Sequence, residues 1–270
     1  MRGDLHVHTN ISDGSFNIDE ILRIAKEEGL THIGITNHDT VNGLTEAIEL
    51  GKEFGIKVIP GIEISAYDFQ NNRKVHILGY NFNLQREHIR QICDPILKKR
   101  NRNSMVQMEK IINEGYDLDV NYIKSLSISS EVIYKQHIMQ ALIQKHYTDK
   151  IYSDLYKRIF KNNGVCASGI DYVDVYKAVE AIVNDGGIAI LAHPGHLNSY
   201  DIIPELVSKG LRGIEINHHS HTEEDKQKIR SFAEDHNLIL TGGTDFHGSY
   251  GENNIKLGEI ESPTEYLDVF

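Results

Sequence analysis

Cysteine is scarce in this chain. Among 270 residues there are two, Cys93 and Cys166, far apart and matching no metal-knuckle spacing. That excludes a disulfide framework and a cysteine-ligated zinc site, and the expectation is reduced thiols in a cytoplasmic protein. No run approaches the roughly 18 continuous apolar residues of a membrane span. No basic and apolar leader precedes the first strand candidate at Leu5, so no membrane partner is expected. Proline-rich linkers, low-complexity tracts and internal repeats are missing. So are a GxSxG elbow, a Walker A loop, a GxGxxG turn and an HExxH helix. Nothing therefore indicates a protein-derived nucleophile.

Basic charge is outnumbered, with 28 Lys+Arg against 39 Asp+Glu and a net charge of -11. This argues against duplex DNA as a partner. The average hides a split. Between Arg86 and Lys161 there are 14 Lys+Arg against 9 Asp+Glu, so the middle is a basic block inside an acidic chain. The length suits one large domain, or one domain carrying an insertion, and 40% apolar residues suffice for a substantial core.

Short apolar runs alternate with helix-like segments. Strand candidates are Leu5–Val7, His32–Thr36, Lys57–Ser65 (one strand, or two meeting at Pro60-Gly61), Lys74–Tyr80, Ile188–Ala192, Gly213–Asn217 and Leu238–Thr241. They are rich in Ile, Val and Leu without clean alternation, as buried parallel strands are. Amphipathic segments lie between them. Ile18–Glu28, Leu44–Phe54, Val175–Asn184 and Ile202–Ser208 each end near a glycine, the expected C-cap, while Glu223–His236 ends without one. This rhythm predicts βα units and a mainly parallel sheet or barrel. Residues 84–170 break it. Arg86–Lys99, Arg102–Glu114, Glu131–Lys145 and Asp149–Lys161 read as helices with no convincing strand between them. The expected organisation is a barrel from residues 1–83 and 171–270, with residues 84–170 as a helical insertion forming a basic cap.

The histidines, 15 in all, are not scattered evenly. Each strand candidate carries His, Asp or Glu within or just after its apolar run: His6-Val7-His8, ITNHD with His38, PGIEIS with Glu63, KVHILGY with His76, ILAHPGH with His193, GIEINHHSH with Glu215, and TGGTDFHG with Asp245 and His247. Each alone has an ordinary reading as a turn, a loop or a chance pair. Glu63 is harder to dismiss, because a carboxylate in an apolar run needs a cation or a hydrogen-bonding partner. In parallel α/β folds, sites form at the carboxyl ends of strands, so such ligands converge at one mouth. His6, His8, Asp13, His38, Glu63, His76, His193, Asp245 and His247 are too many for one tetrahedral ion. An all-His-and-carboxylate set suits two or three divalent ions, Mn, Fe or Zn, with positions open to water. Clustered ions make hydroxide available at neutral pH and clamp phosphoryl oxygens.

HVHTNISDG, ITNHD, PGIEIS, LAHPG and TGGTDFHG, in this order from Leu5 to Gly248, resemble the motifs of the PHP (polymerase and histidinol phosphatase) family. The resemblance implies a distorted (β/α)7 barrel with a trinuclear metal site. By motif, His6, His8, Glu63 and Asp245 would hold one ion. Glu63 would bridge to a second, held also by His76 and His193. Asp13, His38 and His247 would hold a third; some members have His where Asp13 stands. The nucleophile would be a hydroxide on ions bound by Glu63, Asp245 and His193. The insertion and GLRGIEINHHSH look most like the stand-alone branch, which includes 3',5'-nucleotide bisphosphate phosphatases and enzymes trimming short RNA from its 5' end.

The expected activity is therefore hydrolysis of a phosphomonoester on a small polyanion, a nucleotide bisphosphate or short single-stranded oligonucleotide. One phosphate would sit on the metals and another on the cap, with Arg100 or Arg102 the candidates. His218 and His221 are candidate substrate contacts, His221 also as proton donor to the leaving group, and Asp39 is a candidate to orient a ligand imidazole. Two alternatives stay open. A histidinol-phosphate phosphatase handles one phosphate and a cation, and needs less of a basic cap. A hydrolase of C–N bonds often uses a carboxylated lysine as the metal bridge, a place taken here by Glu63.

Overall fold

The computed structural model describes residues 1–85, 87–252 and 254–270. Its elements, in chain order, are β1 (Gly3–Val7), α1 (Ile18–Glu27), β2 (His32–Ile35), α2 (Leu44–Phe54), β3 (Lys57–Asp68) and β4 (Arg73–Tyr80). Four helices follow: α3 (His88–Asn113), α4 (Val120–Leu126), α5 (Lys135–Gln144) and α6 (Asp154–Phe160). The chain then returns to β5 (Val173–Asp174), α7 (Val175–Asn184), β6 (Ile188–Leu191), α8 (Pro194–Leu197), α9 (Ile203–Ser208), β7 (Leu211–Asn217), α10 (Glu223–His236) and β8 (Ile239–Gly242).

The strands form one sheet in the order β1-β2-β3-β4-β6-β7-β8, with the short β5 paired to β3. The sheet curls until its ends meet. His8 N donates to Phe246 O at 2.9 Å, and Phe246 N donates to His6 O at 3.2 Å. The result is the expected mixed α/β, distorted barrel. Alternation is present after all, with apolar side chains on both faces. In β3 and β4, Ile62, Ile64, Val75 and Ile77 pack outward on the helices, while Ile59, Leu78 and Tyr80 face inward with Leu5, Ile190 and Phe270. Tyr80 anchors this inner plug by donating its hydroxyl to Leu5 O at 2.6 Å. Each such fully buried side chain contributes about 1.5–3 kcal/mol. Glu63 and His76 share the inward parity of the plug and sit above it.

Local signals explain most element ends. Asn17 caps α1, accepting from Glu20 N while Glu20 returns a bond to Asn17 N. Helix α10 ends on Asn237 in the left-handed region (φ 51), so asparagine does the work of the absent glycine.

Four expectations are corrected. The sheet is less parallel than expected: β4 runs antiparallel to both β3 and β6, because residues 69–72 turn the chain straight back into a hairpin. Pro60 does not split β3. It ends the pairing with β2 just where pairing with β4 begins, so neither ladder needs its missing N–H. Helix α3 is continuous for 26 residues through Pro95, since neither Arg100 nor Asn101 breaks a helix; Arg86, where the first of two helices was expected to start, lies outside the described residues. Helices α5 and α6 start later than expected. Glu131 adopts φ 57 and cannot be helical, and Ser153 caps α6 by accepting from Tyr156 N. Helices α3 to α6 surround a core of their own, built on Met108, Ile111, Ile123, Ile138, Leu142 and Phe160.

Candidate metal centre

The loop after β1 is shaped around Asn37. Its Oδ1 accepts from Thr9 N (2.8 Å), Thr9 Oγ1 (3.1 Å) and Ser12 Oγ (2.9 Å). This ties the β1 loop to the β2 loop and sets Asp13 opposite His38. Two glycines permit the close packing. A Cβ on Gly14 would come within 2.7 Å of His8 O, and one on Gly243 within 2.4 Å of His6 N. Asp39, His193 and Asp245, three of the eleven described non-glycine residues with positive φ, adopt angles of 57°, 26° and 52° at the site.

All nine expected ligand positions converge there. Glu63 is the hub. Its Oε2 lies 3.3 Å from His6 Nε2, 3.1 Å from His8 Nε2 and 3.3 Å from His38 Nδ1. Its Oε1 lies 2.7 Å from His76 Nδ1 and 3.0 Å from His193 Nε2. Asp245 Oδ1 lies 3.3 Å from His6 Nε2 and 3.1 Å from His8 Nε2. Asp13 Oδ1 approaches His247 Nε2 at 3.4 Å, and Asp13 Oδ2 approaches His38 Nε2 at 4.0 Å. Four overlapping donor groups result: His6, His8, Glu63 and Asp245; His38, Glu63 and His76; His8, Asp13, His38 and His247; and His218, His219 and Asp245. Not every ligand stands at the carboxyl end of a strand. His76 lies in the first half of β4, and reaches the mouth only because that strand is antiparallel.

The electrostatics match a cluster that wants cations. Burial opposes the charge on Glu63, but the imidazoles of His38, His76 and His6 outweigh it and hold the carboxyl well below its usual range. Burial likewise opposes ionised Asp245, and His6 and His247 again prevail. Burial would keep His247 neutral, yet Asp13 and Asp245 raise it to about 10. Burial wins at His38, lowering it to about 4 against the pull of Glu63 and Asp13. Protein contacts leave this network unfinished. Among the described residues, His6 Nε2, both His8 nitrogens, Asp13 Oδ1, His38 Nδ1, Glu63 Oε2, His193 Nδ1 and Asp245 Oδ1 are buried without a hydrogen-bond partner. Such orphans in one cluster fit divalent ions.

Glu215 completes the surround. It is fully buried, its Oε1 bonds His6 Nδ1 at 2.9 Å, and its Oε2 accepts from His193 N at 2.8 Å. It thereby turns His6 Nε2 toward Glu63 and Asp245, as a metal ligand's outer partner does. The sequence carried the same signal as for Glu63, a carboxylate inside an apolar run, but its supporting role was not recognised.

The substrate-side expectations divide. A cavity of about 600 Å³ opens on the cluster and is lined by Asp13, His38, Glu63, His76, His193, Asp245 and His247. Arg100 and His218 also line it, whereas Arg102 does not and is exposed on α3. Arg100 is not a loose cap residue. Its Nη2 lies 2.6 Å from Asp39 Oδ2 and donates to Ser65 Oγ at 3.2 Å. Asp39 accordingly serves Arg100 and Ser65 N (2.7 Å) rather than a ligand imidazole. His221 is not among the residues lining the cavity. Its Nε2 accepts from Gly195 N at 3.2 Å and its Nδ1 donates to Ile216 O at 2.8 Å, so both ring nitrogens are spent on backbone. His218 is oppositely arranged. Ser220 N donates to its Nδ1 at 3.2 Å, which leaves the proton on Nε2, 3.5 Å from Asp245 Oδ2. Missed by the sequence reading was Gln136 of α5, whose Nε2 donates to Asp13 Oδ2 at 3.0 Å and so links the helical insertion to the cluster.

A barrel of this topology, with its mouth filled by histidines and carboxylates, defines a metal-dependent hydrolase of the α/β type. The PHP domain model matches residues 4–219, and the chain belongs to that family. It is 45% identical over 251 residues to the phosphoribosyl 1,2-cyclic phosphate 1,2-diphosphodiesterase of Eggerthella lenta, covering 93% of this chain and 96% of that one. It is 26% identical to the 3',5'-nucleoside bisphosphate phosphatase of Chromobacterium violaceum, covering 96% and 91%. A solved Bifidobacterium adolescentis structure, assigned as a metal-dependent phosphoesterase, superposes with a TM-score of 0.91 at 25% identity, covering 99% of this chain and 94% of that one. Among the described residues, no helix is long and apolar enough to cross a membrane.

Proposed function

We propose that the chain is a metal-dependent phosphoesterase that hydrolyses a phosphate ester of a small sugar phosphate bearing a second phosphate group. The single observation that carries this is the convergence of nine histidine and carboxylate side chains, with their buried orphan atoms, on one cavity. In this reading His6, His8, Glu63 and Asp245 hold one divalent ion. Glu63 with His76 and His193 holds a second, and Asp13, His38 and His247 hold a third. Two or three ions of Mn, Fe or Zn suit a set of nitrogen and oxygen donors. Bound there, they supply an activated water at neutral pH and clamp the phosphoryl oxygens.

The chain's own residues do the rest. Glu215 and the backbone fix the ligand imidazoles. His218 presents an Nε2–H donor to a phosphoryl or leaving oxygen beside Asp245. Residues 84–170 act as the cap over the barrel of 1–83 and 171–270, with α3 pinned by Arg100 and α5 by Gln136.

The 45% relative makes phosphoribosyl 1,2-cyclic phosphate the first substrate to try. A 3',5'-nucleoside bisphosphate is the second reading, favoured by the Tyr152 and Tyr156 rings lining the cavity, on which a base can stack. The test is turnover of phosphoribosyl 1,2-cyclic phosphate, 3',5'-phosphoadenosine and histidinol phosphate with Mn²⁺, Fe²⁺ or Zn²⁺. Ring opening of the first to a phosphomonoester, or release of phosphate from the second, abolished by chelation, supports the proposal. Turnover of histidinol phosphate alone, or of amides and no phosphoester, overturns it.

A further inference from the structure

Resting on the phosphoesterase reading, we propose that Lys135, together with Lys74 and Lys161, forms a subsite for the second phosphate of the substrate, separate from the histidine–carboxylate cluster. The three lysines come from α5, β4 and the end of α6, so the fold, and no local sequence run, brings them to one cavity. Lys135 is half-buried, with Nζ over the Phe160 ring 5.2 Å from its centroid. Among the described residues, no carboxylate stands within ion-pair distance of any of the three, although Arg100 nearby has Asp39. Glu252 lines the same cavity and pairs with none of them.

A half-buried ammonium among like charges, with no counter-ion, is unfavourable in the folded chain. Burial, then Lys74, Lys161 and Arg100, push its amine down to about 8. A dianion placed between the three relieves both effects at once. A phosphate monoester has the right charge, and lysine suits it as a mobile point charge. The cavity then has two poles, carboxylates and imidazoles that collect cations and lysines that collect an anion. A substrate with phosphate at both ends fits this polarity, and one with a single phosphate leaves the lysines uncompensated.

Ribose 5-phosphate 1,2-cyclic phosphate and ribose 1,2-cyclic phosphate differ only in the remote phosphate. With the Mn²⁺-loaded chain, Lys135→Met should lower the ratio of their kcat/KM values about 10- to 100-fold, through KM. Lys135→Arg should retain most of the ratio, and Lys124→Met, on the outer face of α4, should leave it unchanged. An unchanged ratio in Lys135→Met overturns the subsite. Wild-type failure on every phosphoester is a different result, which sinks the phosphoesterase reading. Inorganic phosphate titrated calorimetrically into the metal-free chain then decides the subsite by itself. Loss of its binding in Lys135→Met supports a lysine anion site, and equal binding in both proteins overturns it. Lost phosphate binding with an unchanged kinetic ratio assigns the site to free phosphate and overturns the link to substrate.

Discussion

Arg100→Met removes the only cationic partner of Asp39 among the described residues. The pair is 2.6 Å apart, with the Asp39 side chain 0% exposed and the Arg100 side chain 19% exposed. Without the guanidinium, Asp39 retains the Ser65 N–H at 2.7 Å, in a backbone already at φ 57. Breaking a buried pair from one side costs about 3–5 kcal/mol. The guanidinium opens on the cavity, so the low end applies, about 3 kcal/mol, or a fall in Tm of roughly 5–6 °C for a chain of this size. Urea unfolding followed by circular dichroism measures it directly. Asp39→Asn in the same background removes the stranded charge, so the double variant should recover about 2 kcal/mol of the summed single losses. A loss below about 1 kcal/mol in Arg100→Met, or strict additivity in the double variant, refutes the claim that this pair pins α3 to the barrel.

Two further outcomes follow from the same contacts. Burial holds His137 down to about 4; a group depressed in the folded state contributes stability that is whole above the ordinary histidine pKa and lost as pH falls toward 4. His137 alone should remove about 3 kcal/mol between pH 6.5 and 4. His137→Gln, which cannot protonate, should flatten the measured pH–stability slope there, and an unchanged slope contradicts this. His218→Phe should lower kcat about 10- to 100-fold with metal content unchanged; loss of bound metal would instead make His218 a ligand.

The ligand positions were legible because chemistry and hydrophobicity disagree there. Glu63 inside PGIEIS and His76 inside KVHILGY are polar groups in runs that otherwise specify buried strands. The direction of β4 was not legible. Strands apolar on both faces look alike whichever way they run, and the turn over residues 69–72 carries no glycine or proline to announce it. The fates of Arg100, Arg102 and His221 depended on long-range partners, Asp39 for the first and Gly195 for the last, that no local spacing encodes. Lys74, Lys135 and Lys161 are likewise ordinary lysines in sequence, and only the packing of α5 and α6 against the barrel brings them to one cavity.

The most direct test of the metal centre is elemental analysis of Glu63→Gln beside the wild type. Glu63 touches five imidazoles with a carboxylate 1% exposed, and its neutral amide can neither bridge two cations nor hold those rings in place. Wild-type protein should carry two or three divalent ions per chain. The variant should keep one or none, with phosphoester turnover reduced about a thousandfold or more. Full metal content with undiminished turnover in Glu63→Gln would contradict the account.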